Sequence, residues 1–144
     1  MCRIRDRSPT FHITRSCCES GRFSEVALAL AQAGADVIVA GRDGSKGRAA
    51  VAQICLLAPT AAVRFEKLDL ANLTSVADFA ACIAALKYPV DLLVNNAGML
   101  TTGARRLTPN GFEMQMGANY LGHFALTGRL LPLLQRSRKR GSCK

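Results

Sequence analysis

No apolar stretch of this chain reaches the ~18 residues needed to cross a bilayer, so no membrane span is expected. The first 22 residues also lack the apolar run of about 7–15 residues that marks a secretory signal. Six cysteines are present (Cys2, Cys17, Cys18, Cys55, Cys82, Cys143), but none of their spacings suits a metal. Cys17 and Cys18 are adjacent, which disfavours an ordinary disulfide between them. Cys55 and Cys82 fall inside apolar helical patterns and read as small core residues. These absences make a reducing cytoplasm the expected location. There is no solenoid-type repeat and no low-complexity segment.

Acidic residues are scarce at the two ends. The formal net charge is +9. Residues 1–22 hold five arginines (Arg3, Arg5, Arg7, Arg15, Arg22) against Asp6 and Glu19. Residues 136–144 hold Arg136, Arg138, Lys139, Arg140 and Lys144 and no acid. Between them, residues 23–135 are nearly balanced, with nine basic and eight acidic side chains. The basicity therefore belongs to tails rather than to a folded face. Non-specific charge attraction explains it, and no specific nucleic-acid partner is expected.

What is present is an alternation of helical and strand patterns, and 144 residues allow one domain. Val26, Leu28, Ala29, Leu30 and Ala33 trace a helical apolar face, and Gly34 is a C-cap signal. Val37-Ile38-Val39-Ala40 is a short continuous apolar run with β-branched residues, which suits a strand covered on both faces. Asp43 suits an N-cap for a helix over 44–57, ended by Pro59. Residues 63–70 alternate like a strand. Asn72 or Thr74 can cap a helix carrying Val76, Phe79, Ala80, Ile83 and Leu86, which Tyr88-Pro89 stops. Residues 90–94 form another buried-type strand. Thr108-Pro109 reads as the opening of a long helix to about residue 136, kinked near its end by Pro132. Strand-like material before residue 16 is limited to 11–15. The pattern predicts an α/β fold, a parallel sheet with helices on both faces, its strands ordered 63–70, 36–42, 11–15, 90–94.

Two motifs carry potential chemistry. Asn95-Asn96-Ala97-Gly98 follows a buried strand, where small residues and amides let a backbone approach a ligand; alone it also fits an ordinary turn. Asn119-Tyr120-Leu121-Gly122-His123-Phe124 lies on the long helix. Asn inside a helix is costly unless it bonds something. Gly122 there costs ~1 kcal/mol relative to Ala, which points to close packing or a bend.

In order and spacing these motifs, with Val39-Ala40-Gly41-Arg42-Asp43, Leu68-Asp69-Leu70 and Asn110-Gly111-Phe112-Glu113, resemble the short-chain dehydrogenase/reductase family. The likeness is nearest to its retinol-dehydrogenase-like and protochlorophyllide-reductase-like members, and it runs from about residue 25 to 135. It implies an incomplete doubly wound, Rossmann-type sheet and hydride transfer between a nicotinamide cofactor and a small carbonyl or alcohol. Asp69 would sit beside the adenine ring. Asn95, Ala97 and Gly98 would line the cofactor. Asn119 matches the helix Asn of the family's catalytic tetrad, which helps order a proton-relay water. Gly41 stands where NAD-preferring members carry an acid, and Arg42 after it suits the 2′-phosphate of NADP, with NAD the lesser possibility.

The ends depart from the family. Its glycine-rich turn falls on residues 16–23, where Gly21 matches but Cys17 and Phe23 replace glycines, so weak cofactor binding is expected. The family's Tyr-x-x-x-Lys has no counterpart: Tyr88 is followed four residues on by Leu92, and Tyr120 by Phe124. His123 reads as a packing or capping residue. The expectation is thus an atypical segment over 1–22, a partial dinucleotide-binding domain over 23–136 and a basic tail over 137–144. It would be a truncated or frame-disrupted member, or an alternative transcript, inactive by itself. The alternative is a non-catalytic nucleotide-binding or interaction fragment, forming a homo-oligomer or docking on a partner through the helix 108–136.

Overall fold

A computed structural model of the chain describes residues 11–15 and 23–137. Gly21, the rest of the turn over 16–22 and the tail beyond residue 137 lie outside the described residues. Four strands, β1 (Phe11–Arg15), β2 (Asp36–Gly41), β3 (Val63–Lys67) and β4 (Val90–Val94), make one sheet in the order β3-β2-β1-β4. All three pairings are parallel, as the strand-and-helix alternation predicts. The connecting helices are α1 (Phe23–Gln32), α2 (Gly44–Leu57) and α3 (Leu73–Ala85). A final helix comprises a π-helical stretch, Met116–Leu121, followed by α4, Gly122–Gln135.

The sheet is covered on both sides, which explains the unbroken apolar run of β2. Val37 and Val39 enter one core with Ala27, Ala31 and Ile54 of α1 and α2. Ile38 and Ala40 enter the other with Phe79 and Ile83 of α3 and Leu126 and Leu130 of α4. Successive strand side chains point to opposite faces, so a strand between two helical layers has no polar side. On α1 the buried face is Ala27 and Ala31 rather than the expected set. Val26 is 38% exposed, Ala29 and Ala33 are exposed, and Leu28 and Leu30 pack only at the margin. Small side chains let this helix lie close to the sheet.

The local signals act as their chemistry dictates. Asp43 caps α2, accepting from the N–H groups of Ser45 (2.9 Å) and Lys46 (3.0 Å). Asn72, not Thr74, caps α3. Gly34 (φ +86°) closes α1, its N–H reaching Ala31 O while Ala35 N–H reaches Leu30 O, both at 3.0 Å, a Schellman arrangement. Lys87 ends the third helical segment in a left-handed conformation (φ 59°) before Pro89. In β4 the register slips: Phe11 pairs with Val90 but His12 with Leu92, leaving Asp91 as the extra residue. Val90 and Leu93 consequently both face the α3/α4 core, and Leu92 is left partly exposed.

Four sequence expectations are corrected. The β3 ladder stops at Lys67, and residues 68–70 leave the sheet as a loop; they alternate because Leu68 and Leu70 both sink into the core. Cys82 is exposed rather than core, with its Sγ 4.0 Å from Glu66 Oε2, and Cys55 is only half-buried. Thr108-Pro109 does not open a helix. Gly111 N–H bonds Thr108 O (2.9 Å) and Thr108 N–H bonds Phe112 O (2.8 Å), with Gly111 at φ +81°. Pro-Asn-Gly is turn chemistry, and the glycine takes the left-handed position that closes the loop. The helix begins after Glu113, whose carboxylate accepts from Gln115 N–H (2.9 Å) and Met116 N–H (2.8 Å). The helix, with Pro132 inside it, runs to Gln135, in keeping with the expected end near residue 136.

Candidate functional site at the carboxyl ends of the strands

In an open parallel sheet, ligands bind outside the carboxyl ends of the strands, where the strand order reverses. Here that point lies between β1 and β4. Residues 95–101 leave β4 at this edge and run alongside the last helix.

Four polar side chains of that helix, spaced four residues apart, hold the segment. Gln115 Nε2 donates to Thr101 O at 3.5 Å. Asn119 takes the Met99 peptide from both sides, accepting from its N–H at 2.9 Å and donating to its carbonyl at 2.8 Å. His123 Nε2 lies 2.7 Å from Ala97 O, and its Nδ1 lies 3.1 Å from Asn95 Oδ1. Asn95 Nδ2 donates to Thr127 Oγ1 at 3.1 Å. The helix ascends from 115 to 127 as the loop descends from 101 to 95.

A regular α-helix advances about 100° per residue, so steps of four drift by roughly 40° each and would carry the stripe off the loop. The π-helical stretch, with its wider turn, lies inside this span and counters the drift. Gly122 also serves here. A Cβ on it would stand 2.6 Å from Leu70 Cβ, 3.0 Å from the Leu70 carbonyl carbon and nearer still to the carbonyl oxygen. Close packing, one of the two readings of this helical glycine, is what the structure has.

The protonation of His123 follows partly from its partners. A carbonyl only accepts, so Nε2 carries the proton that meets Ala97 O. As it stands, Asn95 Oδ1 also accepts, which suits a ring protonated on both nitrogens. A half-turn of the Asn95 amide presents Nδ2 instead and suits the neutral ring, with Thr127 then donating.

Of the residues singled out from sequence, Asn95, Ala97 and Asn119 belong to this one assembly, and Gly98 lies within the held loop. Gly98 has nothing within 4 Å of the position a Cβ would take. Arg42 is exposed immediately after β2, and Asp69 lies just past β3, at the same sheet edge with β1 between them and β4. Asp69 is held by its own loop: its N–H donates to Ser75 Oγ and its Oδ1 accepts from Ala71 N–H, both at 3.0 Å. Gln115 and Thr127 were not legible as site residues, although their spacing of four from Asn119 and His123 was the available signal. Asn110, part of the turn motif, accepts from Leu73 N–H at 3.0 Å and so ties the loop before the last helix to the start of α3.

Two acids are perturbed, both as helix caps. The Ser45 hydroxyl, then the Lys46 N–H, lowers the Asp43 pKa. The Gln115 and Met116 N–H groups lower that of Glu113. Among the described residues no group of three His, Cys, Asp or Glu side chains could hold a metal. No helix described is long and apolar enough to cross a membrane. An apolar hollow of about 260 Å³ lined by Leu28, Gln53, Ile54, Leu56 and Leu57 lies in the α1–α2 layer, away from the strand ends.

Comparison with known proteins agrees with this geometry. The short chain dehydrogenase profile matches residues 18–143. The chain belongs to the short-chain dehydrogenase family. It is 46% identical over 107 residues to polyprenol dehydrogenase of Danio rerio, covering 74% of this chain and 33% of that protein. It is 43% identical over 118 residues to retinol dehydrogenase 13 of Mus musculus, covering 82% and 35%. It thus spans about a third of the length of these curated relatives. Among solved structures it is similar to the Pseudomonas aeruginosa RhlG/NADP active-site complex. There the identity is 27% and the TM-score 0.73, over 89% of this chain and 49% of that one. This short-chain dehydrogenase is retinol-dehydrogenase-like, and its sheet is an incomplete Rossmann-type fold.

Proposed function

We propose that this short-chain dehydrogenase segment forms the nucleotide-holding half of an oxidoreductase site that takes NADP in preference to NAD. The observation that carries the reading is the loop 95–101 at the sheet's switch point, held by side chains from Gln115 to Thr127. The residues present fit a dinucleotide. Arg42 offers an exposed cation for a 2′-phosphate, Asp69 an acceptor for an adenine amine, and residues 95–98 a fixed loop beside the strand ends. When bound, the nicotinamide supplies or accepts a hydride against a carbonyl or alcohol substrate. Asn119, clamped on Met99, orders the neighbouring polar groups and water.

The 144 residues by themselves are expected to bind weakly and not to turn over, since neither Tyr88 nor Tyr120 is followed by the lysine that tunes a proton donor. Titrating NADPH and NADH by calorimetry tests the cofactor assignment. NADPH is expected to bind more tightly, and Arg42→Ala to remove the difference. Equal affinities before the substitution, or a preference that survives it, would take Arg42 out of this role.

A second reading, an interaction fragment that forms a homo-oligomer, draws on the outer face of the last helix. Met116, Tyr120 and Phe124 are exposed at steps of four, and the Tyr120 and Phe124 rings stack with centroids 6.4 Å apart. The two readings are compatible, because that face and the polar stripe belong to different sides of one helix.

A further inference from the structure

We infer that Asn110 is a positioning residue for the adenosine half of the nucleotide: it holds the start of α3 and, through it, the turn that carries Asp69. This rests on the proposed nucleotide reading. Asn between Pro109 and Gly111 is ordinary turn chemistry, and its side chain need reach nothing distant. Here it reaches 37 positions back, its Oδ1 accepting from Leu73 N–H at 3.0 Å.

A helix leaves its first four N–H groups without partners inside it. In α3 three of them are met locally. Asn72 N–H bonds Asp69 O (3.2 Å), and Asn72 Oδ1 accepts from Thr74 (2.9 Å) and Ser75 (3.4 Å). Leu73 N–H is met by Asn110. An N–H only donates, so the carboxamide presents its oxygen. Asn110 is itself fixed, because the turn around it is closed by Thr108 N–H on Phe112 O (2.8 Å) and Phe112 N–H on Thr108 Oγ1 (3.2 Å).

From the helix start the hold passes to Asp69. Ser75 Oγ accepts from Asp69 N–H, and Asp69 Oδ1 from Ala71 N–H, both at 3.0 Å. Leu68, just before, donates to Gly41 O at 2.9 Å, beside Arg42. Residues 69–72 lie past the β3 ladder, so their place is set from outside the sheet. Leu70 among them rests against Gly122 of α4. The turn 108–112 and the helix after it thus touch this stretch at Leu70 and at Leu73, while the polar stripe of the same helix holds residues 95–101. Asn110 serves the Asp69 side of the cleft, which is the adenosine side. Its loss should be felt equally by a whole dinucleotide and by an adenosine fragment.

The test combines amide hydrogen exchange with two probes, NADPH and adenosine 2′,5′-bisphosphate, on the full chain. Asn110→Ala is expected to speed exchange at Leu73 and Asp69 and leave Met99 as it was. Both probes should weaken about fivefold, since binding must then order a turn that has lost one hydrogen bond worth ~1 kcal/mol. Asn110→Asp keeps the acceptor. At about 0.15 M salt, which screens its added charge, it should bind both probes as the parent does. Leu73→Pro removes the donor instead, at the first helical position, where proline is tolerated. It should weaken both probes as Asn110→Ala does, and combining the two should cost nothing further. Unchanged affinities in Asn110→Ala, or a loss confined to NADPH, would overturn the assignment alone. So would an Asn110→Asp variant that behaves like the alanine one, or losses that add in the double variant. A parent chain that binds neither probe overturns the nucleotide reading, and the assignment falls with it.

Discussion

The Asn119 carboxamide and the Met99 peptide form a closed pair, N–H to Oδ1 at 2.9 Å and Nδ2 to carbonyl at 2.8 Å. One helical side chain thereby satisfies both polar groups of a loop residue that has no strand to pair with. Each such bond contributes about 0.5–1.5 kcal/mol net. Asn119→Ala is therefore expected to lower stability by about 1–3 kcal/mol and to speed exchange of the Met99 amide. Urea unfolding and exchange check this; a Met99 amide as protected as before would contradict the pairing.

Gly122→Ala sets two effects against each other. Alanine gains about 1 kcal/mol of intrinsic helix propensity. Its Cβ, however, meets the Leu70 backbone, which cannot swing aside as a flexible side chain could, and overpacking of this kind costs about 1–3 kcal/mol. A net loss of stability is expected in urea unfolding. A variant as stable as the parent would show that the last helix does not need this approach.

The two capping carboxylates give an acid limb of known sign. Asp43 and Glu113 have lowered pKa values in the folded chain, from the Ser45 hydroxyl and Lys46 N–H in one case and the Gln115 and Met116 N–H groups in the other. Their stabilisation is present above the unfolded values, 3.8 and 4.5, and is lost as pH falls through the lower folded ones. Urea midpoints measured from pH 7 to pH 3 should fall for the parent and fall less steeply for Asp43→Asn with Glu113→Gln. Identical slopes would contradict the capping assignment.

The exposed stripe on the last helix is expected to drive self-association. Phe124 is 71% exposed and Tyr120 57%. In sedimentation velocity, Phe124→Glu should reduce any concentration-dependent species without altering the free energy of unfolding by more than about 0.5 kcal/mol, the usual range at the surface. Association unchanged by this substitution would place the contact elsewhere.

Much of the fold could be read from sequence because its signals are local. Val37 to Ala40 alternates between two cores, so apolarity alone marks the strand. Asp43, Asn72 and Gly34 each act on backbone groups within a few residues. The strand order follows from connection rules that hold for any such sheet. The misreadings arose where a residue's role is set across the chain. Thr108-Pro109 resembles a helix start, but Gly111 and the reach of Asn110 to Leu73 make it a turn. His123 looked like packing because its partners, Asn95 and Ala97, are 26 or more positions away. The fourfold spacing of Gln115, Asn119, His123 and Thr127 was visible, but a regular helix would have scattered it; the π-helical turns bring it into line.

The central claim is that a nicotinamide dinucleotide lies across the carboxyl ends of these strands. Backbone amide shifts recorded by NMR during titration with NADPH test it most directly. The perturbations are expected to cluster at Gly41 and Arg42, at Asp69 and along residues 95–99, three stretches distant in sequence that meet at this edge. Shifts confined to the α1–α2 layer or the amino ends of the strands, or none at saturating NADPH, would contradict it.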